Sequence, residues 1–168
     1  NNGDAEDFDA TFSASIGRRL FIEPRQRGFQ NLMALNIQRG RDHGLESYTK
    51  YRKFCGIPNA NQVGNNPFTA FRNEIRNYAI LKDLQKAYGD LENHIDLFVG
   101  GTAESNDGDK LIGRTFGCIL RKTFEDLRDG DRFFYKNGQI FSAKQQTEIE
   151  KMTLAKVMCA TLVNVESL

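Results

Sequence analysis

Apolar positions in this chain recur at helical spacing far more often than they alternate. Phe8, Phe12, Ile16 and Leu20 are spaced by four, with the acids Glu6, Asp7 and Asp9 at the front. That pattern predicts an amphipathic helix of about four turns, ended before Pro24. Residues 24–30 read as a connection. Glu46 to Phe54 predicts a short helix with Tyr48, Tyr51 and Phe54 along one side. Cys55-Gly-Ile-Pro58 stops it, because glycine and proline both end helices. After turn-rich residues 59–66, Pro67 suits the first position of a helix running to about Tyr88. Its stripe is Phe68, Phe71, Ile75, Tyr78, Leu81, Leu84 and Tyr88, and Gly89 follows as a C-terminal cap.

Ile95 to Gly101 is the apolar run that alternates loosely. A short strand and a buried turn both fit it; the turn is expected, since no second strand is available to pair with it. Residues 102–110, TAESNDGDK, read as a polar surface loop. From Leu111 to Leu127 the helical period returns, with Ile112, Phe116, Ile119 or Leu120, Phe124 and Leu127 on one face. Arg128 to Arg132 forms a charged turn. Ser142-Ala-Lys-Gln145 has the form of a capping box and opens a last helix carrying Ile149, Met152, Val157 and Met158 toward Leu162. No repeat, low-complexity tract or interdomain linker interrupts the pattern. The fold class is mainly α.

Composition changes this picture little. The 168 residues suit one ordinary domain or a sizeable piece of a larger one, with 39% hydrophobic and 27% charged residues in the globular range. Lys+Arg of 23 against Asp+Glu of 22 leaves a net charge of +1, which argues against a surface built for nucleic acid or anionic membrane. No apolar run approaches the ~20 residues of a membrane span. The acidic, polar start is not expected to be a signal peptide. Cys55, Cys118 and Cys159 are too scattered for a zinc site. One disulfide with a leftover thiol and three buried thiols both fit, and composition favours the thiols.

The densest chemistry lies in LNIQRGRDHG, residues 35–44. Its glycines argue against a core helix, and Leu35, Ile37 and Leu45 argue against a free loop, so it reads as a polar element held against something buried. Some of Arg39, Arg41 and Asp42 are then expected to be partly buried, with Asp42 satisfying one arginine and the other facing a ligand carboxylate. His43 lacks a second histidine at helical spacing and reads as structural within this cluster; His94 fares no better as a ligand. Arg128-Asp-Gly-Asp-Arg132 reads as an internal ion-pair turn. No phosphate loop, serine nucleophile motif, cysteine–histidine arrangement or carboxylate pair is present.

Taken whole, LNIQRGRDHGLESYTKYRKFCG at 35–56 resembles the signature of the animal haem peroxidases, and IDLFVGG at 95–101, GRTFGCIL at 113–120 and LRDGDRFFY at 127–135 follow in the family's order. The resemblance implies a mainly α-helical oxidoreductase that binds haem b or a modified haem and uses hydrogen peroxide to oxidise halides, phenols or tyrosyl groups. Asn36 matches the asparagine that accepts a hydrogen bond from the proximal imidazole, which fixes that ligand's tautomer. Arg39 matches an arginine near the haem propionates. His43 then becomes scaffold. Cys55 and Cys118 match a family disulfide, against the leaning toward thiols, while the usual partner of Cys159 lies past Leu168. A disulfide implies an extracellular or secretory-pathway setting.

In the family, the distal histidine and arginine, the calcium loop and the proximal histidine lie upstream of this segment. Residues 1–168 are therefore expected to be the C-terminal part of a peroxidase domain, carrying no catalytic residue and no metal ligand, with the remainder of the domain as partner. Alone, it is expected to be inactive. Glu46 and Arg114 depart from residues common in the family, with local effects on turns. The alternative is a catalytically silent peroxidase-like module acting in matrix or cell-surface interaction.

Overall fold

A computed structural model describes residues 9–18, 20, 30–57, 67–89, 91–106, 108 and 110–161, apart from the side chains at 67, 69 and 92. The described residues form eight α-helices: α1 Ala14–Arg18, α2 Leu32–Asp42, α3 Tyr48–Phe54, α4 Tyr78–Tyr88, α5 Leu97–Ala103, α6 Arg114–Gly130, α7 Ala143–Glu150 and α8 Leu154–Thr161. Two 3-10 turns, Pro67–Phe71 and Glu92–His94, and two isolated antiparallel bridges, Leu20 with Gln30 and Ser47 with Asp96, complete the inventory. The mainly α expectation holds. By contacts the chain divides into two compact units, 1–121 and 122–168.

Several elements differ from expectation, each for a local reason. The first helix is short: residues 9–13 are not helical, and Leu20 pairs with Gln30 instead of continuing α1. Phe8 and residues 21–29, like 58–66 and Leu162, lie outside the described residues. The LNIQRGRDHG segment is a helix after all. Asn31 caps it, its side chain accepting from Met33 N at 2.9 Å and Ala34 N at 3.1 Å, and Gly40 falls in the last turn, where a glycine costs least. No residue of α2 is buried within the chain, and Arg39, Arg41 and Asp42 are all exposed, against the expected partial burial.

The helix expected from Pro67 to Tyr88 is broken in two. Asn77 provides a competing start, accepting from Ala79 N at 3.0 Å and Ile80 N at 3.4 Å. The apolar stripe survives the break: Phe68, Phe71, Ile75, Leu81 and Leu84 are buried, while Tyr78 is exposed. Gly89 at φ 62° ends α4 as expected. The last predicted helix also splits, into α7 and α8, with the Ser142–Gln145 capping box intact at its start. The charged turn at 128–132 instead begins as the end of α6, with Arg128 Nε donating to Asp129 Oδ1 at 2.7 Å.

Ile95 to Gly101 is neither strand nor turn but the start of α5. Its glycines serve packing: a Cβ on Gly100 would collide with the Tyr48 ring, and one on Gly101 with the Phe116 ring. The expected loop at 102–110 starts inside the core, with Thr102, Ala103 and Glu104 all buried. In the first unit α3 lies against α5, and Tyr48, Phe68, Phe71, Ile75, Leu81, Leu84, Ile95 and Ala103 form the apolar core. A disulfide between Cys55 and Cys118 joins the end of α3 to α6 across a separation of 63 residues. Closing that loop is worth about 4 kcal/mol in the chain-entropy account. The leaning toward three thiols is overturned for this pair; Cys159 is free and exposed.

One polar cluster lies inside that core. Arg52 is fully buried, its Nη2 at 3.0 Å from Glu74 Oε1 and its Nη1 at 3.5 Å from Glu104 Oε1. Tyr48 Oη donates to Glu104 Oε1 at 2.7 Å, and Thr115 donates to the same carboxylate through N at 2.8 Å and Oγ1 at 2.5 Å. Burial and then the neighbouring Glu104 charge raise the Tyr48 phenol above its ordinary pKa. The cluster ties α3, the turn after Phe71, α5 and α6 together. In the second unit no described residue is buried, and ion pairs such as Lys136–Glu150 at 2.8 Å lie on its surface.

Candidate functional site

The helical period of α2 sorts its polar side chains. Asn36 and Arg39, three residues apart, share one face, whereas Arg41 points to the far side. The Asn36–Arg39 face opens on a cavity of about 550 Å³. Ile37, Leu45, Leu97, Phe98 and Phe116 give it apolar walls, and Gly40, His43 and Asp96 complete the lining. Neither the Asn36 amide nor the Arg39 guanidinium has a hydrogen-bond or ion-pair partner among the described residues. An apolar slot with an unengaged amide and an unengaged guanidinium on one wall suits a flat, largely apolar molecule bearing an acid group.

Arg41 is committed elsewhere. Its Nε donates to Asp96 Oδ1 at 2.9 Å and its Nη2 to Asp96 Oδ2 at 2.7 Å, a two-pronged fork. The Tyr88 hydroxyl donates to Asp96 Oδ2 at 2.7 Å and accepts from the Asp96 N–H at 3.4 Å. The Arg41 bond leads in holding the Asp96 carboxyl below its ordinary pKa, and burial opposes it. Burial, followed by the Asp96 bond, pushes the Tyr88 phenol up to about 12. The partner expected for an arginine here was Asp42. The structure corrects this to Asp96, from a distant part of the chain; among the described residues Asp42 approaches only His43, at 4.0 Å.

His43 lines the cavity, but its Nδ1 is 2.8 Å from the Arg39 carbonyl, so that nitrogen donates to the backbone at the end of α2. This fits the scaffold role. His94 falls in the 3-10 turn and lines a separate concavity of about 490 Å³ with Arg41, Tyr88 and Asp96. Among the described residues no group of three His, Cys, Asp or Glu side chains is placed to hold a metal ion, and no helix is long and apolar enough to cross a membrane. Sequence reasoning missed Asp96, Tyr88, Arg52 and Glu104. Only Asp96 left a trace, as a capping-type residue directly before an apolar run.

Comparison with known proteins identifies the family. The family model described as animal haem peroxidase matches residues 2–168. The chain is 47% identical over 129 residues to peroxidasin homolog pxn-2 of Caenorhabditis elegans, covering 77% of this chain and 9% of that protein. It is 36% identical over 144 residues to human myeloperoxidase, covering 86% of this chain and 18% of that protein. Among solved structures, peroxidase A from Dictyostelium discoideum superposes with a TM-score of 0.75 at 29% identity, covering 97% of this chain and 30% of that one. The chain thus spans a small part of each of these proteins.

Proposed function

This chain belongs to the animal haem peroxidase family, and we propose that in the intact protein it supplies the proximal-side wall of the haem pocket in an enzyme that reduces hydrogen peroxide while oxidising a halide, phenolic or tyrosyl donor. The observation that carries the reading is the pairing of Asn36 and Arg39, both without side-chain partners among the described residues, on one face of α2 above an apolar slot. The donor set fits haem. The guanidinium of Arg39 is a bidentate partner for a propionate carboxylate. Oδ1 of Asn36 is an acceptor for the N–H of an imidazole contributed from outside residues 1–168. Leu97, Phe98 and Phe116 bound the cavity with apolar surface.

When bound, haem supplies the iron that exchanges electrons with peroxide and donor. The chain's own part is electrostatic and positional. By holding the imidazole proton at its far nitrogen, Asn36 makes that ring a better electron donor to whatever its other nitrogen ligates. Arg39 neutralises an acid group at the cavity edge. The calcium site of the family is assigned to the remainder of the domain. The Cys55–Cys118 bond supports an extracellular or secretory compartment, where disulfides persist.

Full-length protein loaded with haem tests the reading. A Soret band and peroxide-dependent turnover of a phenolic dye are expected, with Asn36→Ala lowering turnover about 10–100-fold while haem is retained. Full-length protein with neither band nor turnover would leave the silent interaction module as the reading. A normal band and unchanged turnover in Asn36→Ala would remove the proximal role.

A further inference from the structure

Helix α2 carries the two cavity-facing groups, yet none of its residues is buried within the chain. Its apolar side chains Leu32, Met33, Leu35 and Ile37 are only half-buried within residues 1–168, so packing inside this segment fixes its rotation about its own axis less firmly than it would for a core helix. That rotation matters. A helix with side chains is about 10–12 Å across, so turning it by ~10° moves a side-chain tip by about 1 Å. Misplacements of that size are enough to cost a positioned group its function.

The opposite face of α2 carries the directional link that packing lacks. Arg41 binds Asp96 through both prongs of its guanidinium, at 2.9 and 2.7 Å. Asp96 caps α5, and the next two residues, Leu97 and Phe98, form the cavity wall facing α2. Tyr88, the last residue of α4, closes the arrangement with its 2.7 Å bond to the same carboxylate. One carboxylate thereby joins three helices, two of which carry the two walls of the slot. A fork constrains rotation as well as distance, which a single-point ammonium contact does not.

We infer that Arg41, Asp96 and Tyr88 form a positioning clamp that sets the rotation of α2, and so aims Asn36 and Arg39 into the cavity; of the three, Asp96 alone also borders that cavity. This rests on the haem-site reading and extends it: the electronic character of the iron depends on a salt bridge on the far side of the helix. Arg41→Lys keeps the charge and loses the fork; Asp96→Asn keeps the shape and loses the charge.

The test uses the full-length holoprotein and reads three quantities: haem content, the iron reduction potential with the Soret maximum, and kcat for a phenolic donor. Arg41→Lys and Asp96→Asn are expected to retain haem, to shift potential and Soret maximum in the same sense as Asn36→Ala, and to lower kcat about tenfold. In an Asn36→Ala background, Arg41→Lys is expected to shift the potential no further, because it acts through Asn36. Should either clamp variant fail to fold, Tyr88→Phe removes the two hydroxyl bonds to Asp96 while leaving the Arg41 fork, and is expected to give the same shift in smaller degree. A shift in Asn36→Ala with none in Arg41→Lys or Tyr88→Phe would overturn the clamp and leave the haem site standing. No shift in Asn36→Ala would overturn both. Additive shifts in the double variant would overturn the clamp as a device acting through Asn36.

Discussion

Arg39 and Arg52 occupy neighbouring helices of one short segment, and they meet opposite surroundings. Arg52 is sealed in the core, where Glu74, Glu104 and Tyr48 surround its guanidinium. Arg39 stands exposed beside an apolar slot, with no partner among the described residues. A buried charge without partners is not tolerated, so the core gathers its own carboxylates. An exposed charge left unengaged beside apolar walls is available to a ligand. Arg41 lies between these extremes: it is on the surface, yet its fork to Asp96 commits it to the fold. Three arginines of one signature thus divide into a core element, a positioning element and a recognition element.

The contrast is broken most severely from the core side. Arg52→Ala leaves Glu104 and Glu74 buried without their cation and is expected to cost about 3–5 kcal/mol, measured as a fall in the unfolding midpoint in denaturant. Stability unchanged in that variant would mean that the buried cluster does not hold α3 to α5 and α6. Cys118→Ser opens the link from α3 to α6 and is expected to cost about 2–4 kcal/mol, the loss being reproduced by mild reduction of the unmutated protein.

A smaller effect separates the intermediate clamp from the core. The folded Tyr88 phenol titrates at about 12 against an ordinary 10.0, so its contribution is complete below pH 10.0 and is lost as pH rises toward 12. Tyr88→Phe is expected to flatten stability across that alkaline window, with a loss near neutrality of about 1 kcal/mol or less. Arg39→Ala completes the series: it is expected to change stability by less than about 0.5 kcal/mol, while lowering haem retention in the full-length protein. Equal losses of stability from Arg39→Ala and Arg52→Ala would erase the distinction between the two regions.

Much of the fold was legible because apolar period is a local property. Of the stripe read from Phe68 to Leu84, every apolar position but Tyr78 is buried, and the capping box at Ser142 forms as read, since both depend on residues a turn apart. The break at Asn77 was not, because a side-chain cap competes with helix continuation only by a small margin. Asn36 and Arg39 were singled out from the signature, and the fold places them together on one cavity wall. Asp96 was missed since its meaning depends on Arg41, which lies 55 residues earlier.

By itself the sequence determined helical class, the composition of the core stripe and the residue types available for recognition. Tertiary structure decided which charges those residues would meet. Gly100 and Gly101 became contact surfaces for Tyr48 and Phe116, Glu104 became a core ion, and Asp96 became the anchor of α2. The reason is one of range: helical periodicity is set within a few residues along the chain, whereas the energy of a charge depends on the solvent and partners that long-range packing brings to it.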